Sequence, residues 1–107
     1  MHEAVKWSGA EQKIARRAFD AALQRELDYV MADFKARAQR AKSPQDMWDV
    51  ADFLREEQRR INLKYDFRYS RLLGVFGVLL REKRIIEDDL LGLSEQKLES
   101  VRTVAAL

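Results

Sequence analysis

The sequence contains no cysteine and only one histidine, one proline and four glycines among its 107 residues. Without cysteine there is no disulfide framework, no thiol nucleophile and no thiolate metal site. The lone histidine, His2, stands at the terminus, so the body of the chain has no histidine for a triad, a metal site or a general base. The adjacent acidic residues point in different directions on a helix and fit no cation site. We therefore expect neither an enzyme nor a metal site.

Long apolar runs and an excess of one charge are also missing. The 20 Lys and Arg residues are balanced by 18 Asp and Glu residues, and both signs are mixed throughout, unlike the basic stripe of a nucleic-acid-binding protein. The first residues lack the apolar stretch of a signal peptide, and the longest apolar run, 72–80, is well short of the ~20 residues of a membrane span. We expect a cytoplasmic protein without a nucleic-acid partner and without membrane insertion.

Two long helices occupy the first part of the chain. Ser8 and Glu11 form a capping-box pattern, and apolar residues then recur every three or four positions over 19–38. Ser43-Pro44 restarts the chain as a helix cap followed by proline at the first helical position. A second apolar stripe runs over 47–65, so we predict two long amphipathic helices.

Two shorter helices are predicted for the rest of the chain. The segment 69–84 is apolar on nearly all sides, which indicates a buried helix whose Gly74 and Gly77 allow close approach of a neighbour. A helical turn ends at Gly92, and Ser94 caps a last helix. No strand pattern occurs. The fold class is therefore all-α, as a single domain over residues 1–107.

The length of the first helix predicts an elongated homodimer. About 32 residues at ~1.5 Å each give ~48 Å, whereas a compact chain of this size has a radius of gyration of only ~13 Å. Part of the apolar stripe is then left uncovered, and a second copy of the chain can cover it. In the alternative interpretation the second helix folds back and covers the whole stripe.

The second helix carries a candidate binding patch beside its apolar stripe. On a helical wheel Trp48, Asp52, Arg55 and Arg59 share one flank of the stripe that contains Gln58. Tryptophan and arginine together are typical of interfaces, an arginine is expected over the indole, and Asp52 can pair with either arginine. An equally supported interpretation places Trp48 against the first helix, with the charges as a solvated rim.

Two further aromatic features have structural interpretations. Trp7, just before the first cap, is interpreted as a hydrophobic staple rather than a partner anchor. Tyr65 and Tyr69 flank Asp66 and Arg68 at the end of the second helix. We favour a hydrogen-bonded corner over a ligand site there.

The ordered set of short matches along nearly the whole chain resembles the fluorescence recovery protein family. No single match is specific, but their order over about a hundred residues is. The matching residues are Trp7-Ser8, Gln24 to Leu27, Asp46, Trp48, Asp52-Phe53-Leu54, Ile61, Lys64-Tyr65-Asp66, Arg68, Ser70, Val75-Phe76 and Leu79-Leu80.

The resemblance implies a small all-helical dimer of the cyanobacterial type, without catalytic activity or cofactor. Such a protein binds the C-terminal domain of the photoactivated orange carotenoid protein. It speeds the return to the resting orange state and so ends fluorescence quenching at the phycobilisome. The resemblance places Trp48 and Asp52 in a patch for dimerisation and partner contact. It also implies a cytoplasmic location, with peripheral association at the thylakoid or phycobilisome as an option.

Two positions depart from the family pattern. Ala51 stands where relatives tend to have histidine, and Gln58 stands where they tend to have an important arginine. Arg59 and Arg60 follow, but Arg59 points ~100° away from the stripe. These departures leave an alternative function open, in which a similar helical dimer is an adaptor for a different small α/β domain in an organism without the carotenoid protein.

Overall fold

The computed structural model describes residues 5–107, so His2 lies outside the described residues. This part of the chain is helical, with no named strand, which confirms the all-α prediction. None of its helices combines the length and apolar character needed to cross a bilayer. The elements are α1 (Gly9–Arg40), α2 (Pro44–Lys64), α3 (Leu72–Arg81), a single 3₁₀ turn (Glu87–Leu90) and α4 (Glu95–Ala105).

The predicted helix starts are confirmed. The Ser8 hydroxyl accepts a hydrogen bond from Glu11 N, and Ser8 N donates to Glu11 Oε1, both at 3.1 Å, which is a complete capping box. Ser43 and Ser94 cap α2 and α4 in the same way, by accepting from the backbone three residues on. These local interactions satisfy backbone donors that would otherwise lack partners at each helix start.

The hydrophobic core lies at one end of the molecule, which we call the head and define as residues 5–22 and 65–107. There α3 and α4 pack on each other and on the first half of α1, whose small side chains Ala15, Ala18 and Ala22 are buried. Tight packing of this kind supplies most of the stability of a small domain. The other buried apolar residues of the core are Phe19, Leu72, Val75, Phe76, Leu79, Ile85, Leu90, Leu93 and Val101.

The second half of α1 and α2 form a helical hairpin that projects from the head, and we call residues 27–64 the arm. The described chain measures 54 × 30 × 25 Å with a radius of gyration of 17.1 Å, so the predicted elongation is confirmed. Ile61 is the only buried residue among the 21 of α2. Leu27, Met31 and Met47 remain 39%, 49% and 52% exposed. The hairpin therefore leaves much of its apolar stripe uncovered within one chain.

The chain turns between α2 and α3 through an aromatic corner, as expected. Arg68 donates to the carboxylate of Asp66, and the ring of Tyr69 lies 5.7 Å from that of Trp7. Trp7 is half-buried against the head core, with Lys97 Nζ 5.2 Å from its ring centre. Trp7 thus closes the start of α1, but through the head rather than through a strict staple contact within α1.

The two glycines of α3 differ, and the prediction is correct for one only. A Cβ on Gly77 would lie well inside van der Waals distance of the Val104 side chain, so Gly77 is what lets α3 and α4 approach. A Cβ on Gly74 would meet no atom within 4 Å, and the expected close approach there is wrong for the described chain. Gly74 faces away from α4 and is exposed.

This contrast predicts opposite effects of one substitution. Gly77→Ala should lower the free energy of unfolding by about 1–3 kcal/mol, because the added methyl group forces α3 and α4 apart. Gly74→Ala should raise it by about 0.5–1 kcal/mol, because alanine is the better helix former at an open position. Urea denaturation followed by circular dichroism measures both, and equal effects of the two variants would contradict the packing described.

Candidate functional site

An apolar groove runs along one face of the arm between α1 and α2. Two depressions of about 440 Å³ and 310 Å³ share the side chain of Leu54, so the groove is continuous from the head to the tip of the hairpin. Its lining is apolar near the tip and gains amide and guanidinium groups near the head. The lining residues are Leu27, Val30, Phe34, Ala38, Ala41, Met47, Val50, Ala51, Leu54, Arg55, Gln58, Ile61 and Asn62.

The sequence-predicted patch borders this groove on the outer side of α2. Trp48 is 56% exposed, so it does not insert between the two helices of its own chain. Arg55 donates to Asp52 at 2.7 Å, as expected, whereas Arg59 pairs with Glu56 at 3.1 Å. Exposed pairs of this kind contribute roughly 0–1 kcal/mol to stability. The patch is therefore better suited to contact with another surface than to holding its own fold.

The expected arginine over the Trp48 indole is wrong for the described residues. The cation–ring contacts lie elsewhere, because Arg55 is already engaged by Asp52 and Arg59 by Glu56. In the arm, the Arg37 guanidinium lies 4.0 Å from the ring centre of Phe53 and ties the outer parts of α1 and α2 together. The Trp48 ring is thus free of this contact.

Of the three arginines around Gln58, only Arg55 reaches the groove. Gln58 and Arg55 line the same depression, while Arg59 points to solvent and pairs with Glu56. Arg60 turns to the opposite side of α2, where its Nη1 donates to Glu26 at 2.6 Å. The positive charge at the head end of the groove is therefore supplied by Arg55.

An ionic cluster around one buried carboxylate lies where the arm meets the head. The Glu26 side chain is only 1% exposed and accepts hydrogen bonds from Arg60, Lys64 Nζ and Tyr65 Oη at 2.6–2.7 Å. Arg84 Nε lies 3.6 Å from Glu26 Oε1. Three acids face three bases, so the charges balance. We call the set the junction cluster: Glu26, Glu57, Arg60, Lys64, Tyr65, Glu82 and Arg84.

The protonation of the cluster is set by competition between burial and hydrogen bonding. Burial by itself would raise the pKa of Glu26, but bonds from Lys64, Tyr65 and Arg60 lower that pKa to about 2. Burial and the bond to Glu26 both raise the pKa of Tyr65. At neutral pH Glu26 is therefore a buried carboxylate and Tyr65 a neutral donor.

Sequence reasoning missed the role of Glu26, which entered only as one letter of a matching segment. The signal that could have found it is positional. Glu26 lies three residues after Leu23 and four before Val30, on the stripe itself, where a charge is out of place. A charge at such a position needs buried partners, and Lys64-Tyr65 in the second helix offered them.

One further surface lies between the arm and the head. A cleft of about 1080 Å³ separates the arm from residues 82–89 on the side opposite the apolar groove, with exposed Tyr29 and Ile86 on its rim. Within residues 5–107 no three His, Asp or Glu side chains are arranged to hold a metal ion. The arrangement offers surfaces for contact with another chain.

Together these features define a class of protein: a small helical head with a projecting hairpin that carries an uncovered apolar groove and a Trp–Asp–Arg flank. The family model of the photoprotection regulator fluorescence recovery protein matches residues 7–105. The chain belongs to this family.

Individual relatives are similar over almost their full length. The fluorescence recovery protein of Synechocystis sp. PCC 6803 is 36% identical over 101 residues, which cover 94% of this chain and 93% of the relative. Its solved structure superimposes with a TM-score of 0.90 over 95% of this chain and all of that chain, at 35% identity. The Fremyella diplosiphon protein gives the same TM-score and coverage at 31% identity.

The low pKa of Glu26 predicts acid sensitivity. Because this pKa falls from 4.5 to about 2 on folding, its stabilising contribution is fully present above pH ~4.5 and is lost as the pH falls towards 2. The contribution is about 3 kcal/mol. Urea denaturation measured from pH ~7 down to pH ~2.5 should therefore show a steep fall in the free energy of unfolding below pH ~4.5.

Glu26→Gln should flatten that dependence but not abolish it. Glu11 also has a pKa of about 2, because hydrogen bonds from Ser94, Ser8 and Lys97 outweigh its burial. Glu11→Gln is therefore the matched control, and each variant should remove part of the acid slope. An unchanged slope in Glu26→Gln would contradict the geometry of the cluster.

Proposed function

We propose that the apolar groove is covered by a second copy of the chain, which makes the functional unit an elongated homodimer. The support is the continuous apolar lining that one chain leaves accessible, in which Leu27 and Met47 are 39% and 52% exposed. A two-fold arrangement places each groove against the same groove of the partner. The Gln58 amide can both donate and accept, so it suits contact with its own symmetry mate.

We propose further that this dimer is a non-enzymatic regulator of the orange carotenoid protein. It binds the C-terminal domain of the photoactivated form and accelerates the return to the resting orange state, which ends fluorescence quenching at the phycobilisome. Family membership together with the exposed Trp48–Asp52 flank carries this proposal. Neither a cofactor nor a catalytic side chain is required. The contact residues are Trp48, Asp52, Arg55, Gln58 and Arg59, and the working location is the cytoplasm or the phycobilisome surface.

The mechanism follows from the difference between the two ends of the reaction. In the photoactivated protein two domains are separated, and recovery requires them to rejoin. A helper that bound the separated state best would slow the return, so it must bind the transition state for rejoining more tightly. A long rigid body that holds one domain and presents it to the other lowers the entropic part of that barrier.

The departures at Ala51 and Gln58 favour a second candidate. Gln58 removes a charge from the groove, and only Arg55 is placed to supply one there. The alternative is a dimer of the same build that acts as an adaptor for another small α/β domain. Such a protein would bind without accelerating the recovery of a carotenoid protein.

The dimer proposal predicts that Met47→Glu gives a monomer. Met47 lines the groove yet is 52% exposed in the single chain, so the change should leave the fold of one chain intact. In the dimer it would bury two carboxylates against apolar surface, so its cost falls on the interface. Sedimentation equilibrium measures the mass. Gln96→Glu, at an exposed position of α4 in the head, is the control and should remain dimeric.

The regulator proposal predicts faster dark reversion of photoactivated orange carotenoid protein, followed by visible absorbance, when this protein is added. Asp52→Leu should reduce the acceleration about tenfold or more, because it removes the partner of Arg55 and a charge of the flank. Asp49→Leu, an exposed aspartate of α2 outside the patch, should have little effect. If the folded dimer does not accelerate reversion, the regulator proposal fails and the adaptor function is the one that remains.

A further inference from the structure

The position of α2 on α1 depends on few contacts. Among the residues of α2 only Ile61 is buried, and the Arg37–Phe53 contact holds the outer part of the hairpin. At the head end, α2 is held by Arg60 and Lys64 through the buried Glu26 carboxylate. The other apolar residues of α2 that face α1, such as Val50 and Leu54, are only partly buried.

The same carboxylate also receives groups from the head. The hydroxyl of Tyr65, at the corner before α3, donates to Glu26 at 2.7 Å, and Arg84, just after α3, lies beside it. Lys64 bridges onward to Glu82 at 2.7 Å. One side chain of α1 is therefore joined to α2, to the corner and to the segment that follows α3.

Hydrogen bonds to a buried charge are directional and costly to break. A carboxylate with several donors in fixed places has few alternative arrangements, whereas sliding apolar contacts have many. Buried ionic groups contribute little net stability compared with apolar packing, but they can specify a unique geometry. Glu26 is placed to fix the angle between arm and head in this way.

We propose that Glu26 is a positioning residue, which sets the arm at a fixed angle to the head so that the two heads of the dimer stand at a defined separation. This inference rests on the proposed function, in which a rigid dimer brings two domains together. The Glu26 side chain is only 1% exposed, so it is not offered to a partner surface. It acts through the geometry of the arm, because misplacement of about 1 Å can cost a hundredfold in a reaction that depends on orientation.

The absence of cysteine makes the angle directly measurable. Gln45→Cys at the tip of the arm and Gln96→Cys on α4 place two exposed labelling sites in an otherwise cysteine-free chain. Spin labels on these sites, in protomers diluted with unlabelled protein, report the arm-to-head distance distribution by pulsed electron paramagnetic resonance. The Glu26→Gln change preserves side-chain size and removes the charge.

We expect one narrow distance peak for the parent protein and a broadened or shifted distribution for Glu26→Gln. Acceleration of carotenoid-protein reversion should fall about tenfold or more, while helix content and dimer mass stay the same. Asp28→Asn removes a carboxylate that accepts from Gln24 on the exposed face of α1, and it should leave both the distance peak and the acceleration unchanged.

The measurements separate this inference from the function on which it rests. A narrow, unshifted distribution in Glu26→Gln overturns the inference, and so does a broad distribution with full acceleration. If the parent protein does not accelerate reversion, the proposed function fails, while the distance measurement still decides whether Glu26 fixes the angle. Should Glu26→Gln fail to fold, Tyr65→Phe decides instead: it removes the hydroxyl that donates to Glu26 and keeps the ring, and an unchanged distribution there overturns the inference.

Discussion

The length of α1 constrains everything else in this molecule. A helix of 32 residues is longer than the core that the rest of the chain can build around it, so α3, α4 and the 3₁₀ turn cover only its first half. The second half has α2 as its single neighbour, and two helices cannot bury all of their apolar surface on each other. An uncovered groove follows from this geometry. The proposed dimer and the proposed partner surface both depend on it.

The head and the junction between arm and head are stabilised by different interactions. Apolar packing stabilises the head, where Phe76, Leu79 and Val101 are almost fully buried. The junction is ionic, with the Glu26 carboxylate at its centre. Close apolar packing fixes the head, whereas at the junction a charge with several donors favours one arrangement. A protein that joins two bodies needs both a stable core and a defined angle between its parts.

The surface of α2 likewise has an apolar part and a part that carries charges. Apolar groove residues such as Leu54 are available to a second copy, and the Trp48–Asp52–Arg55 flank beside them carries the groups that are common in interface hot spots. At the head end of the groove the lining includes the neutral Gln58 and the charged Arg55. A change of charge in this lining alters partner preference more readily than it alters the fold.

The sequence by itself determined the local structure. Ser8 with Glu11, Ser43 with Pro44, and Ser94 placed the helix starts, because capping depends on residues three positions apart. Family membership was also recognisable from the order of short matches along the chain. The outer flank of α2 was correctly placed from periodicity, although the contact expected at the Trp48 ring was wrong.

Only the tertiary structure decided which residues far apart in the sequence contact one another. Glu11 caps α1 as predicted, but its carboxylate also accepts from Ser94 N at 2.9 Å and from Lys97, which ties α4 to the start of α1. Gly77 faces α4 and Gly74 does not, although both lie in the same helix. Glu26 meets groups from 34 to 39 residues away in the sequence. Local periodicity contains no information on such pairings, because they depend on how whole helices cross in space.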